Sequence, residues 1–153
     1  MQSPQVDMIY VGPGNGGTDV LNASVDLSPT DPAAVLRAIR ELEIDLTVIG
    51  PDDAVAAGVA DALEAERKPV FGPTAAAGRI ESSKAFAKEV MAAAGVPTAP
   101  FELFGDPVAA RDYATAQGTG LVVKADGLAL GKGVIVCETV EETLAAIERV
   151  MVE

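Results

Sequence analysis

Between residues 30 and 71 the chain alternates in a way that few folds accept. Thr30-Asp31-Pro32 reads as a helix start, an N-cap oxygen followed by proline in the first helical position. Pro32–Glu43 then places Val35, Leu36, Ile39 and Leu42 at helical spacing. Ile44–Ile49 is an apolar run broken only by Asp45 and Thr47, the pattern of a strand in a buried parallel sheet. An alanine-rich helical stretch, Ala54–Glu66, leads to a second short strand at Pro69–Phe71. Strands separated by helices of this length form βαβ units, so the region predicts an α/β fold with a parallel sheet. Upstream, Met8–Val11 and Ser24–Leu27 are two further predicted strands, joined across the glycine-rich GPGNGGT.

A different grammar follows Gly72-Pro73-Thr74. A helix is predicted over Ser83–Ala94, with Gly95 suited to its C-terminal cap and Val96-Pro97 preventing its continuation. Phe101–Phe104 reads as a strand, and Asp106-Pro107 starts a helix running to Gln117. Two β-branched runs around a glycine-rich loop come next, and Thr139 with Glu142 reads as a capping box for a last helix. The order α-β-α-β-β-α is an α+β unit and not a continuation of the parallel sheet. Length alone fits one domain, but this change of pattern puts a boundary near residues 71–75, giving segments 1–73 and 74–153.

Composition removes several chemistries. Histidine is absent and Cys137 is the single cysteine, which excludes disulfide frameworks, Cys/His zinc sites and Ser-His-Asp or Cys-His catalytic sets. Cys137 ends an apolar run and is expected in the core. A hydrophobic fraction of 49% provides for that core, yet no apolar stretch is long enough to span a membrane. The N-terminal MQSPQVD is no signal peptide, so a cytoplasmic protein is expected. A net charge of −12 argues against nucleic acid or an anionic membrane as partner.

Against that acidity, Val122–Val136 (VVKADGLALGKGVIV) stands out, since it combines three glycines with Lys124 and Lys132. Glycines let backbone approach a ligand, and ammonium groups suit phosphate oxygens. The segment reads either as a flap over a polyphosphate such as ATP or as a long hairpin with a glycine-rich tip. It is not a Walker A loop: Gly127 and Gly131 enclose three residues where that motif needs four, and Lys132 is followed by Gly133 where it needs Ser or Thr. Because Val134-Ile135-Val136 leads into a strand, no helix dipole faces the loop, and lysine charge with loop amides must serve a phosphate. Of five lysines, Lys84, Lys88, Lys124 and Lys132 fall in two short segments. Lys84 near a helix start opposes the dipole mildly, which points to an external anion or to simple solvation. Lys88 lies four residues on, along the same face.

Two glycine-containing turns are further candidates. Gly12-Pro13-Gly14-Asn15-Gly16-Gly17 satisfies GxGxxG formally, but no strong helix follows, so it is either an anion-binding nest or a plain turn. Gly50-Pro51-Asp52-Asp53 ends a predicted parallel strand, where open α/β sheets bind ligands. Asp52 could receive an amine or a ribose hydroxyl, or either aspartate could cap the next helix, the reading favoured for each taken alone.

Taken in order, QSPQVDMIYVGPGNGGT, IDLTVIGPDDAVAAGVADAL, VFGPTAAAGRIESSKAFAKEVM, AGVPTAPF and VVKADGLALGKGVIV resemble the phosphoribosylamine–glycine ligases (glycinamide ribonucleotide synthetases) of the ATP-grasp superfamily. The resemblance covers nearly the whole chain; SSKAFAK with VKADGLALGKGV is its specific pair. It implies a Rossmann-like domain lacking its first βα unit, followed by the first α+β subdomain of an ATP-grasp fold. It implies ATP-dependent joining of glycine to 5-phosphoribosylamine through a glycyl phosphate. Lys84, Lys124, Gly127, Gly131, Lys132 and Gly133 would then meet ATP, and Gly14, Asn15, Gly50, Pro51 and Asp52 the phosphoribosylamine. No catalytic residue is assigned. The Gly50-Pro51-Asp52 carboxylate is one methylene shorter than the GPE usual in the family.

The family also begins with a GNGGREHA-type loop ahead of the segments matched, and its acidic ligands for Mg2+ or Mn2+ are expected beyond residue 153. The chain is therefore expected to be an N-terminal fragment with no metal site of its own, inactive alone and in need of the remainder of the enzyme. The alternatives are a non-catalytic nucleotide-binding or interaction domain derived from such a ligase, and a different ATP-grasp ligase.

Overall fold

A computed structural model describes residues 3–20, 23–128 and 133–152. Gly131 and Lys132 lie outside the described residues. The chain divides into two compact units, Met1–Gly78 and Arg79–Glu153, and the division falls inside a helix.

The first unit contains the one-turn helix α1 (Gly16–Asp19), α2 (Pro32–Glu41), strand β1 (Thr47–Val48), α3 (Asp52–Ala56), α4 (Val59–Ala65), strand β2 (Val70–Phe71) and the start of α5 (Ala75–Ser82). Asp31 caps α2, its carboxylate accepting from the Ala33 and Ala34 N–H groups, with Pro32 at the first helical position. β1 and β2 are parallel, pairing Thr47 with Val70 and Val48 with Phe71. Val35, Ile39, Ala54, Val59 and Leu63 form the core, joined by Leu27, Leu36, Ile44, Ile49 and Val70.

Several expected elements are shorter. The predicted strands at Met8–Val11 and Ser24–Leu27 reduce to one parallel bridge, Val11 with Ser24. The sheet is not buried on both faces: Leu46, Val48 and Phe71 are exposed, at 57%, 64% and 71%. Phe71 lies directly opposite Val48, so these side chains share the face away from the core. The helix expected over Ala54–Glu66 is broken at Gly58, whose φ of 75° interrupts the ladder.

The second unit holds the end of α5, then α6 (Lys84–Ala93), α7 (Pro107–Gln117), β3 (Val122–Lys124), β4 (Val134–Val136) and α8 (Val140–Met151). β3 and β4 form the antiparallel hairpin the sequence predicts, with Val123 opposite Ile135. Its inner face packs on Ala110, Ala114 and Ile147, together with Leu121, Leu144 and Met151. Thr143 is fully buried between hairpin and helix; its Oγ1 accepts from the Leu121 N–H at 3.1 Å and donates to the Thr139 carbonyl at 2.9 Å. Cys137 is buried, as expected. Arg111 and Glu148 form an ion pair between α7 and α8.

Three expectations for this unit need correction. Phe101–Phe104 is not a strand: the Phe104 ring packs 5.2 Å from that of Tyr113, and the Lys88 ammonium lies 5.3 Å from the Phe101 ring centroid, so the side chains stack where no strand partner is available. α5 was not anticipated, because its alanine-rich start lacks a strong apolar period. At α8, Thr139 Oγ1 accepts from the Glu142 N–H, but the returning Glu142 carboxylate takes the Glu138 N–H and not that of Thr139.

Candidate functional site

Five candidate residues sit on two turns of the first unit. Gly12-Pro13 is a cis peptide, and Gly14 has φ +84°. A Cβ at Gly14 would lie 2.2 Å from Ser24 Oγ and 2.8 Å from Thr18 Oγ1, so only glycine fits. Asn15 caps α1 reciprocally: its Oδ1 accepts from the Gly17 and Thr18 N–H groups, and its own N–H donates to Thr18 Oγ1. Thr18 Oγ1 and Ser24 Oγ are 2.7 Å apart. The GPGNGG turn is thus held by the Asn15 side chain and the Thr18 hydroxyl, and it opens a helix of only four residues.

Gly50-Pro51-Asp52 leaves the end of β1. Pro51 occupies the N-cap position of α3, so neither aspartate is the N-cap. Asp52 instead accepts from the Asp53 N–H, and Asp53 from the Ala54 N–H, inside the first turn. Gly72-Pro73-Thr74 repeats the arrangement after β2, where Asp61 Oδ2 accepts from the Ala75 N–H at 2.8 Å. Among the described residues no hydrogen bond joins Gly14 or Asn15 to Gly50, Pro51 or Asp52.

In the second unit two of the candidates, Lys84 and Gly127, are joined directly. Ser83 is the N-cap of α6, its Oγ accepting from the Phe86 N–H. Lys84 is the first helical residue, and its Nζ donates to the Gly127 carbonyl at 2.8 Å. Lys124, exposed, ends β3. Gly133 is buried, and its carbonyl accepts from the Ala125 N–H at 2.7 Å, closing the base of the hairpin loop. Lys88 turns elsewhere, donating to Thr98 Oγ1 and the Ala99 carbonyl.

Asp126 is the residue the sequence reading missed. Its carboxylate accepts from Ser83 Oγ at 3.1 Å and from the Ala85 N–H at 3.1 Å, so the loop after β3 caps a helix more than forty positions earlier. Its pKa is lowered chiefly by the Ala85 N–H; burial, the next largest effect, opposes this, and Ser83 Oγ with the Gly127 and Lys84 N–H groups lowers it further. The signal in the sequence is an acidic residue in a loop otherwise rich in lysine and glycine.

The described ammonium groups of this unit near the hairpin are those of Lys84, on the Gly127 carbonyl, and Lys124, exposed at the end of β3. The Ala85 and Phe86 N–H groups at the start of α6 are already taken by Asp126 and Ser83. The helix end therefore offers a phosphate little, and positive charge must come from lysine side chains. Among the described residues no group of three or more His, Cys, Asp or Glu side chains gathers as metal donors. No described helix is long and apolar enough to cross a membrane.

Residues 1–81 match the family model described as phosphoribosylglycinamide synthetase, N domain, and residues 82–153 match the ATP-grasp (A) domain of the same synthetase. A phosphoribosylamine–glycine ligase of Ralstonia nicotianae is 44% identical over 153 residues, covering 99% of this chain but 36% of that protein. The crystal structure of the Thermotoga maritima phosphoribosylamine–glycine ligase superposes with a TM-score of 0.60 at 34% identity, over 89% of this chain and 31% of that one. The biotin carboxylase domain of the Hydrogenobacter thermophilus 2-oxoglutarate carboxylase, solved with MgADP, shares the fold at a TM-score of 0.68 and 24% identity, over 83% of this chain and 30% of that one. The chain thus spans about a third of the length of the curated relatives it matches. With its two halves matched in order by two domains of one synthetase, the chain belongs to the phosphoribosylglycinamide synthetase family.

Proposed function

We propose that this chain supplies the nucleotide-facing hairpin and the substrate-facing turns of an ATP-dependent carboxylate–amine ligase of purine biosynthesis. In that reaction a glycine carboxylate oxygen attacks the γ-phosphorus of ATP and ADP leaves. The amine of 5-phosphoribosylamine then attacks the acyl carbon of glycyl phosphate, phosphate leaves with its C–O bond electrons, and the nitrogen loses a proton. Glycinamide ribonucleotide, ADP and phosphate result.

The observation that carries this reading is the Lys84–Gly127 hydrogen bond, which joins the two segments of the specific motif pair across 43 positions. Lys84 and Lys124 are assigned to ATP phosphates, and Gly127, Gly131, Lys132 and Gly133 to the loop against them. Excluding water there matters, since an acyl phosphate hydrolyses readily. Mg2+ or Mn2+ bound with ATP would neutralise charge during phosphoryl transfer. Gly14, Asn15, Gly50, Pro51 and Asp52 are assigned to phosphoribosylamine. The domains are proposed to meet near residues 73–74, and the protein to work in the cytoplasm.

Calorimetry of the purified chain with ATP tests the assignment. Binding that is lost in Lys124→Ala supports it; equal affinity in wild type and variant removes Lys124 from the site. ADP release that requires both glycine and 5-phosphoribosylamine would assign the complete reaction to this chain, whereas ATP binding without turnover assigns it the nucleotide contact.

A further inference from the structure

We propose that Asp126 is a positioning residue, whose carboxylate holds the start of the β3–β4 connection against the first turn of α6 and so fixes where the Lys84 ammonium is presented. The inference rests on the nucleotide-binding reading for its effect on ATP, but its geometry stands separately. Asp126 accepts from Ser83 Oγ and the Ala85 N–H, while Lys84 Nζ donates to Gly127 O in the opposite direction. Two adjacent residues of the loop are thus fastened to three consecutive residues at the helix start, Ser83, Lys84 and Ala85. A single hydrogen bond leaves a pivot, whereas three between neighbouring residues restrain rotation about it whatever their polarity.

The carboxylate also has an electrostatic part. An anion at a helix N-terminus stabilises the helix, and here it offsets the unfavourable placement of Lys84 in the first turn. The resulting segment carries Lys84 in a defined direction and sets the loop position three residues after Lys124. Positioning of this kind acts on a polyphosphate without touching it, since Asp126 itself would repel the phosphates.

The test uses the whole chain in four forms: wild type, Asp126→Ala, Asp126→Asn and Lys124→Ala. In an amide NMR titration the Ala85 signal of the wild type should report a transition below the usual aspartate range, absent from Asp126→Asn. Hydrogen exchange at Ala85 and Phe86 should speed up in Asp126→Ala, with α7 and α8 unchanged. Asp126→Asn, which keeps an acceptor oxygen, should recover most of the protection. ATP affinity should fall about tenfold in Asp126→Ala, the scale of losing a charge-assisted hydrogen bond, with partial recovery in Asp126→Asn. An Ala85 signal that ignores Asp126, or exchange in Asp126→Ala equal to wild type, overturns the positioning role. Altered exchange with unchanged ATP affinity also overturns it, because the latch would then be structural only. Should the wild type fail to bind ATP, the nucleotide reading falls, and NMR and exchange still decide whether Asp126 holds the loop.

Discussion

Lys84 Nζ reaches the carbonyl of Gly127 at 2.8 Å, so a cation in the first turn of α6 is committed to the backbone of a loop far along the chain. That bond makes Lys84 both a fastening and the candidate phosphate contact. Lys84→Met should therefore weaken ATP binding by at least tenfold while costing only about 1 kcal/mol of folding stability, the net worth of a single hydrogen bond. Calorimetry and urea denaturation on the same preparation check both halves. A stability loss of several kcal/mol with normal binding would make Lys84 a structural residue.

Asp126 gives the region a pH dependence whose sign is fixed. Its folded pKa is depressed, chiefly by the Ala85 N–H, so its stabilising contribution is present above the unfolded aspartate value. That contribution disappears as pH falls through the lower, folded value. Protection of the α6 start should accordingly hold through neutral and mildly acidic pH and weaken in part only below the usual aspartate range, because the protonated carboxyl keeps an acceptor oxygen. Asp126→Asn should abolish the change; hydrogen exchange corrected for its intrinsic pH dependence is the measurement.

Thr143 is a sharper structural test. Thr143→Val preserves shape but removes the acceptor for the part-buried Leu121 N–H and the bond to Thr139. The expected loss is about 1–2 kcal/mol, the net worth of the two hydrogen bonds removed. Chemical denaturation followed by tyrosine fluorescence, with Tyr113 on α7 as the reporter, measures it.

Gly14→Ala should be costly for a different reason. The new Cβ would collide with Ser24 and Thr18 hydroxyls, and the backbone would remain in a left-handed conformation. A loss of about 1–3 kcal/mol is expected. If the turn also forms the phosphoribosylamine contact, the variant should lose affinity for ribose 5-phosphate, read by isothermal titration at a temperature where it remains folded.

Much of this was legible because particular residues leave little choice. Asp31-Pro32 and Asp106-Pro107 start their helices where the sequence placed them, and Gly95, with φ +66°, stops α6. Two other stops were not legible. Glu43 and Arg67 take the left-handed conformation after α2 and α4, at φ 52° and 56°, and the Ile44 and Lys68 N–H groups close the same kind of cap onto Ile39 and Leu63. Nothing in a glutamate or an arginine announces that geometry, so the helix ends were placed one or two residues late. The strands failed for another reason. Apolar runs at Met8–Val11 and Phe101–Phe104 carried the right residues, but a strand needs a neighbour, and pairing is not local information. Asp126 escaped for the same cause: its partners lie at residues 83 and 85.

The caps themselves change what the acidity of this chain means. Asp31, Asp53, Asp61, Asp106 and Asp126 each accept a backbone N–H at a helix start. They act as built-in counter-ions to the peptide dipoles. Removing these five side chains to raise the isoelectric point would thus weaken the helix starts they hold. The positions free to be recoloured are the glutamates and aspartates that hold no amide, and a redesign has to begin by telling the two kinds apart.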